Sequence, residues 1–220
     1  MHAMGNDDGW FVICVCASIV ITIYVGSNAI HLLEPTHCTH AMHIDHALQT
    51  LRSGDLLLLG YGDVKGDIVR FLCGSWCNHV AVVMEDAQAR KYVWETDGSG
   101  THMTPLTRSV LPTGVGESMA VRLIDRRVDD ARMWAFAQQH CDQPYHDDYW
   151  ICAYKRWFPY MPLPWNRSRN QFCSMMVARM LYHLGVIPKQ DDLLPCHFEE
   201  LATTKRFSYS PPIYILPTPM

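Results

Sequence analysis

The chain has 220 residues, 49% hydrophobic and 18% charged, a balance that excludes intrinsic disorder and leaves room for one catalytic-size domain with little to spare. A formal net charge of −4, with no basic run and no aromatic-basic interleaving, excludes the electrostatic footprint of a nucleic-acid binder, so nucleic acid is not an expected partner. Nine cysteines form an odd set in a chain too long for a disulfide-stapled miniprotein, which leaves at least one thiol unpaired and slightly favours a reducing compartment.

From Trp10 to Ile30 the run WFVICVCASIVITIYVGSNAI carries no charge. At roughly 1.5 Å per residue it is long enough to cross a hydrocarbon core of about 30 Å. Residues 1–30 are therefore expected to form a single-pass transmembrane anchor, with the lipid bilayer as partner. A cleaved signal peptide would need a positive region, and Asp7 and Asp8 stand in its place. A buried N-terminal helix is a third reading, which the run does not favour because it lacks a polar face. The side of the membrane is open, since the first Lys or Arg is Arg52, beyond the flank in which positive charge directs topology.

Residues 31–46 read as a linker rich in histidine, with His37, Cys38, His40, His43, Asp45 and His46. Imidazoles three apart can share a helix face, and Cys38 or Asp45 would complete a zinc site. Against this, Pro35 breaks a helix at its start and the spacing matches no closed zinc motif, so a solvated linker without metal is expected. Cys73 and Cys77 are spaced like half a zinc site but lack a second pair, and read as structural thiols. No glycine-rich phosphate loop is present, and no cofactor is expected.

Residues 47–205 read as a mixed α+β domain. GDLLLLG (54–60) is a strand buried on both faces, VKGDIVRFL (64–72) a short helix, and HVAVVME (79–85) and KYVWET two strands joined by a polar turn. SMAVRLI (118–124) is a further strand. DDARMWAFAQQHC (129–141) is a helix with an acidic start and with Ala131, Trp134, Ala135 and Gln138 on one face. PYMPLPW (159–165) holds too many prolines for a regular element and reads as a loop walling a cleft, with Trp150, Trp157 and Trp165 as apolar lining. QFCSMMVARMLYHLG (171–185) places Cys173, Met176, Val177, Met180, Leu181 and Leu184 on one helical stripe, closed by Gly185 and stopped by Pro188. Residues 206–220 form a Pro-rich tail with a strand in PPIYILP.

Cys173 begins that last helix, where unpaired amides and the helix dipole favour a thiolate and where a backbone amide can serve an oxyanion. The same position lies on the apolar stripe, so a core cysteine fits the position equally well. His79 opens its strand, and Glu95 near the end of the neighbouring strand can reach the far ring nitrogen, which is the arrangement of a base with its orienter. Asp97, two residues on, is the reserve for the third role.

Taken together over roughly residues 52–201, the segments SGDLLLL, GSWCNHVAVVME, YVWETDGSG and QFCSMMVARMLYHLGVI resemble the permuted branch of the NlpC-type papain-like cysteine hydrolases, that of the YiiX-like bacterial proteins and their poxviral relatives. In that branch the His strand precedes the Cys helix. The resemblance implies a circularly permuted papain-like α+β domain with Cys173 as nucleophile, His79 as general base and Glu95 as orienter. It matches Gly54 and Asp55 to the opening strand and Tyr145 to a tyrosine ahead of the Cys helix. Tyr145, Ser174 and Trp165 form the expected substrate-binding set. The chain departs from the family at Met175 and Met176, where Glu-Leu often follows Cys-Ser. The expected function is a membrane-anchored cysteine hydrolase or acyltransferase that opens an amide or ester bond through a thioester. The anchor and the aromatic cleft incline the substrate towards lipid-like over peptide. The rival reading is a non-catalytic membrane or virion component that keeps the fold.

Overall fold

The computed structural model describes residues 41–107, 111, 118–125, 127–145, 172–188, 193, 197–198, 209–210 and 212–216. The Trp10–Ile30 run and the segment with Trp150, Trp157 and Trp165 lie outside the described residues. Among the described residues no helix is long and apolar enough to cross a membrane.

A seven-stranded sheet organises the chain: β1 (Ala41–His43), β2 (Leu56–Gly60), β3 (His79–Glu85), β4 (Lys91–Asp97), β5 (Gly100–Pro105), β6 (Ser118–Arg122) and β7 (Ile213–Leu216), in the spatial order β1-β7-β6-β2-β3-β4-β5. Only β1 and β7 pair in parallel; the other pairs are antiparallel. Four helices are described: α1 (Ile44–Thr50), α2 (Val64–Cys73), α3 (Asp130–His140) and α4 (Cys173–His183).

The run of leucines in β2 is buried on both faces because strand side chains alternate and both sides of the sheet are covered. Leu56 and Leu58 join Val80, Val82 and Trp94 against Met176, Val177 and Met180 of α4. Leu57 and Leu59 join Ala81, Val83 and Val121 in a second cluster with Ile44 and Ala47 of α1. The polar turn between β3 and β4 is closed by Asp86, which accepts the amides of Gln88 and Arg90, each at 2.9 Å.

Asp55 clasps the sheet. Its carboxylate accepts the amides of Arg52 and Ile124, both at 2.8 Å, and so ties the entry of β2 to the exit of β6. Gly54 before it has φ +91°, and a Cβ there would stand 2.9 Å from Val128, so a left-handed backbone and a close approach both require glycine.

Several expectations are revised. Residues 41–46, read as linker, instead form β1 and the start of α1, because the tail strand β7 offers β1 a parallel edge. Strand β5 was not anticipated; it begins at Gly100, φ +112°, through a tight turn in which Asp97 accepts the amide and hydroxyl of Ser99. Helix α3 buries Met133, Phe136 and Ala137, whereas Ala131, Ala135 and Gln138 are exposed and Trp134 is half-buried. Its inward stripe is thus rotated from the expected one. In α4 the expected stripe is buried from Cys173 to Leu181, with Leu184 half-buried at the C-cap, and Ser174, Met175 and Ala178 between its residues are buried as well. Met175 is 4% exposed, so the methionine at this departure from the family pattern fills the core.

Candidate active site

The start of α4, the start of β3 and the end of β4 converge on one place. Phe172, an extended N-cap residue, provides no side-chain cap for the first turn of α4, so the leading amides beside Cys173 have no intrahelical acceptor. Tyr145 packs edge-on against the Phe172 ring, with centroids 5.9 Å apart.

His79 opens β3 opposite Leu59 of β2. The register of β3 against β4 pairs Val83 with Val93, which by alternation puts Glu95 on the same face as Ala81 and His79. The ring and carboxylate meet, with Nε2 of His79 2.8 Å from Oε2 of Glu95. The thiol of Cys173 is also within hydrogen-bond reach of the His79 side chain.

Burial of this imidazole works to lower its pKa, but the charge of Cys173 and the hydrogen bond to it, then the hydrogen bond and charge of Glu95, outweigh burial. Together they push it up from 6.5 to about 10. The imidazolium is the form of the ring that these neighbours favour.

The ring is fixed from below and beside. Cys77 Sγ lies 3.1 Å from the His79 carbonyl, and its amide donates to Ser75 Oγ at 3.1 Å, in keeping with a structural thiol. Asn78 Oδ1 accepts the Tyr61 amide at 3.0 Å while its Nδ2 donates to the Tyr61 carbonyl at 2.8 Å. Arg70 donates to the same carbonyl at 2.7 Å. This clamp holds the Tyr61 ring 5.7 Å from the His79 ring.

A cavity of about 450 Å³ opens over His79 and Glu95. Tyr61, Asp63, Lys65, Asn78, Asp97 and Tyr145 supply most of its remaining wall. Asp97 lies beside the expected triad and faces Ser99 and His102; burial opposes ionisation there, but both Ser99 hydrogen bonds, with His102 and His79 nearby, hold its carboxyl below the usual range. Glu95, not the reserve Asp97, therefore engages the ring.

Of the expected substrate-binding set, Tyr145 stands in the cavity wall, Ser174 is buried at 1% exposure behind the helix start and is not in that wall, and Trp165 lies outside the described residues. The clamp residues Tyr61 and Asn78 and the pair Asp63 and Lys65 were not singled out in the sequence; only the adjacency of Asn78 to His79 marked one of them. His102 was also missed because β5 was. Among the described residues no group of three His, Cys, Asp or Glu side chains is placed to hold a metal ion.

Residues 50–200 match the model of a family described as permuted papain-like amidase enzyme, YaeF/YiiX, C92 family. Among solved structures, the chain is similar to the metalloprotein yiiX from Escherichia coli O157:H7, at 17% identity and a TM-score of 0.47, over 74% of this chain and 87% of that one. No curated protein matches the chain.

Proposed function

Because this chain belongs to the permuted papain-like amidases, an enzyme family of cysteine hydrolases, we propose that Cys173, His79 and Glu95 are its catalytic triad and that it opens an amide bond through a thioester. The observation that carries this reading is that one buried imidazole contacts both the sulfur of Cys173 and the carboxylate of Glu95.

In this account the thiolate of Cys173 attacks the carbonyl carbon, and the leading amides of α4 receive the developing oxyanion. The His79 imidazolium gives its proton to the departing amine as the C–N bond breaks, which leaves an acyl-thioester on Cys173. The neutral imidazole then takes a proton from water, whose oxygen attacks the thioester carbonyl; the carbon-sulfur bond breaks, and the thiolate-imidazolium pair is restored. Glu95 holds the ring and its charge throughout. An acyl acceptor other than water would turn the same cycle into a transfer.

Asp63, Lys65, Asn78 and Asp97 make the described cavity wall polar and charged. That supports a polar, peptide-like substrate over the lipid-like one, whose sequence argument rested on the anchor and on Trp150, Trp157 and Trp165. Comparing release from γ-glutamyl peptides with acyl release from a fluorescent phospholipid tests the choice. Wild-type cleavage of the peptide, absent in Cys173→Ala, is the expected result; turnover of the phospholipid alone would move the substrate class to lipid acyl groups.

The uncharged run Trp10–Ile30 supports placing this domain behind a single membrane anchor. Alkaline extraction should leave the full chain with the membrane pellet and release a chain lacking residues 1–40. Release of the full chain would exclude the anchor.

A further inference from the structure

Glu95 is bracketed by two imidazoles. Its Oε2 meets His79 Nε2 at 2.8 Å, and its Oε1 lies 3.8 Å from Nε2 of His102, the residue paired with Glu95 across β4 and β5. The other nitrogen of His102, Nδ1, is 3.1 Å from the carbonyl oxygen of Gly100. A carbonyl can only accept, so Nδ1 carries the hydrogen and Nε2 of the neutral ring presents a lone pair to the carboxylate. At 3.8 Å that is a contact without a hydrogen bond. A second proton on the ring turns it into an attractive one.

Carboxylates flank the ring on both sides. Asp97 Oδ1 lies 3.6 Å from Nδ1 of His102, so each ring nitrogen faces a carboxylate of β4. Ser99 Oγ, 3.3 Å from Nδ1, adds a neutral partner. The segment after α3 hydrogen-bonds Thr101 through the Gln143 carbonyl and the Asp142 amide. His79 is reached through Glu95, which it contacts, and bears on Asp97 as well.

We propose that His102 is a positioning residue for the reaction: protonated, it draws Glu95 towards β5 and shares its charge; neutral, it leaves the carboxylate wholly to His79. This rests on Glu95 being the orienter of the triad. A protonated His102 therefore weakens the support given to the His79 imidazolium.

The test follows the Cε1 proton of the His79 ring by NMR through a pH titration of the full chain, in wild type, His102→Gln, His102→Lys and Cys173→Ala. In wild type the His79 signal is expected to show its main alkaline step and a smaller acid-side step as His102 titrates. His102→Gln removes the small step and leaves the main one in place. His102→Lys, with a fixed positive charge near Glu95, moves the main step to lower pH, which a merely structural loss would not do. If Cys173→Ala lowers the main step while the His102 variants both titrate like wild type, the role of His102 is overturned and the triad stands. If Cys173→Ala leaves the main step unmoved, the thiol-imidazole pair fails and the role of His102 falls with it.

Discussion

Glu95 Oε2 and His79 Nε2 stand 2.8 Å apart on neighbouring strands, with both side chains nearly buried, at 12% and 10% exposure. In so dry a setting a carboxylate steadies a charged ring far more than it would at the surface.

Replacing Glu95 by Gln keeps a hydrogen-bond acceptor for Nε2–H but removes the charge. The value of kcat/KM should fall about 10²- to 10⁴-fold, and the alkaline limb of its pH profile should move to lower pH. In wild type that limb reports the imidazolium, pushed up to about 10. The same shift has a stability counterpart: a folded-state value raised above the ordinary 6.5 gives stabilisation that is complete below about 6.5 and is lost as pH rises through about 10. A pH profile of Glu95→Gln that superimposes on wild type would contradict the assignment.

Gly66 lets helix α2 approach the clamp around Tyr61. A Cβ at that position would lie 2.3 Å from Asn78 Nδ2 and 2.6 Å from the Tyr61 carbonyl. Gly66→Ala should therefore cost about 1–3 kcal/mol of stability and, by dislodging Asn78, disturb the wall beside His79. Asn78→Ala should break the clamp without the clash. Denaturant unfolding combined with steady-state kinetics checks both: KM rising in each variant is expected, and unchanged kinetics in both would remove Tyr61 from the substrate wall.

Asp55 gives a pH signature away from the site. Burial raises its pKa to about 6, against the backbone hydrogen bonds from Ile124 and Arg52 and the charge of Arg52, with Glu85 adding to the rise. Its folded-state value exceeds the unfolded value of about 3.9, so its contribution to stability is full below about 3.9 and is lost as pH rises through about 6, on the order of 3 kcal/mol in all. Asp55→Asn does not titrate and turns an amide donor towards one of the two N–H groups. It should be less stable than wild type, by a margin that narrows from pH 4 to pH 7. Urea unfolding at several pH values measures that margin, and a margin widening towards pH 7 would reverse the sign of this linkage.

Much of this was legible from local pattern. The leucines of β2, the alternation of β3 and the stripe from Cys173 to Leu181 are strong because tertiary burial and local periodicity agree. The positive φ of Gly185, +68°, matches its expected place as a helix stop. What escaped depends on partners distant in sequence. Strand β1 exists through β7, more than a hundred and sixty residues later, and a histidine-rich composition conceals it. Helix α3 misled because small alanines suggested a face, whereas the larger Met133 and Phe136 decide which side is buried. In the site, the family resemblance implied the triad of His79, Glu95 and Cys173, but the setting of Asn78 arises from hydrogen bonds to Tyr61, distant in sequence, and that of His102 from its cross-strand contact with Glu95.

The proposed mechanism turns on the activation of Cys173 by His79. The most direct measurement is the rate of alkylation of each cysteine by iodoacetamide at neutral pH, localised by mass spectrometry, in wild type and in His79→Ala. Selective, rapid labelling of Cys173 that is lost in His79→Ala is the predicted result, and labelling of Cys173 no faster than that of the other eight cysteines would contradict it.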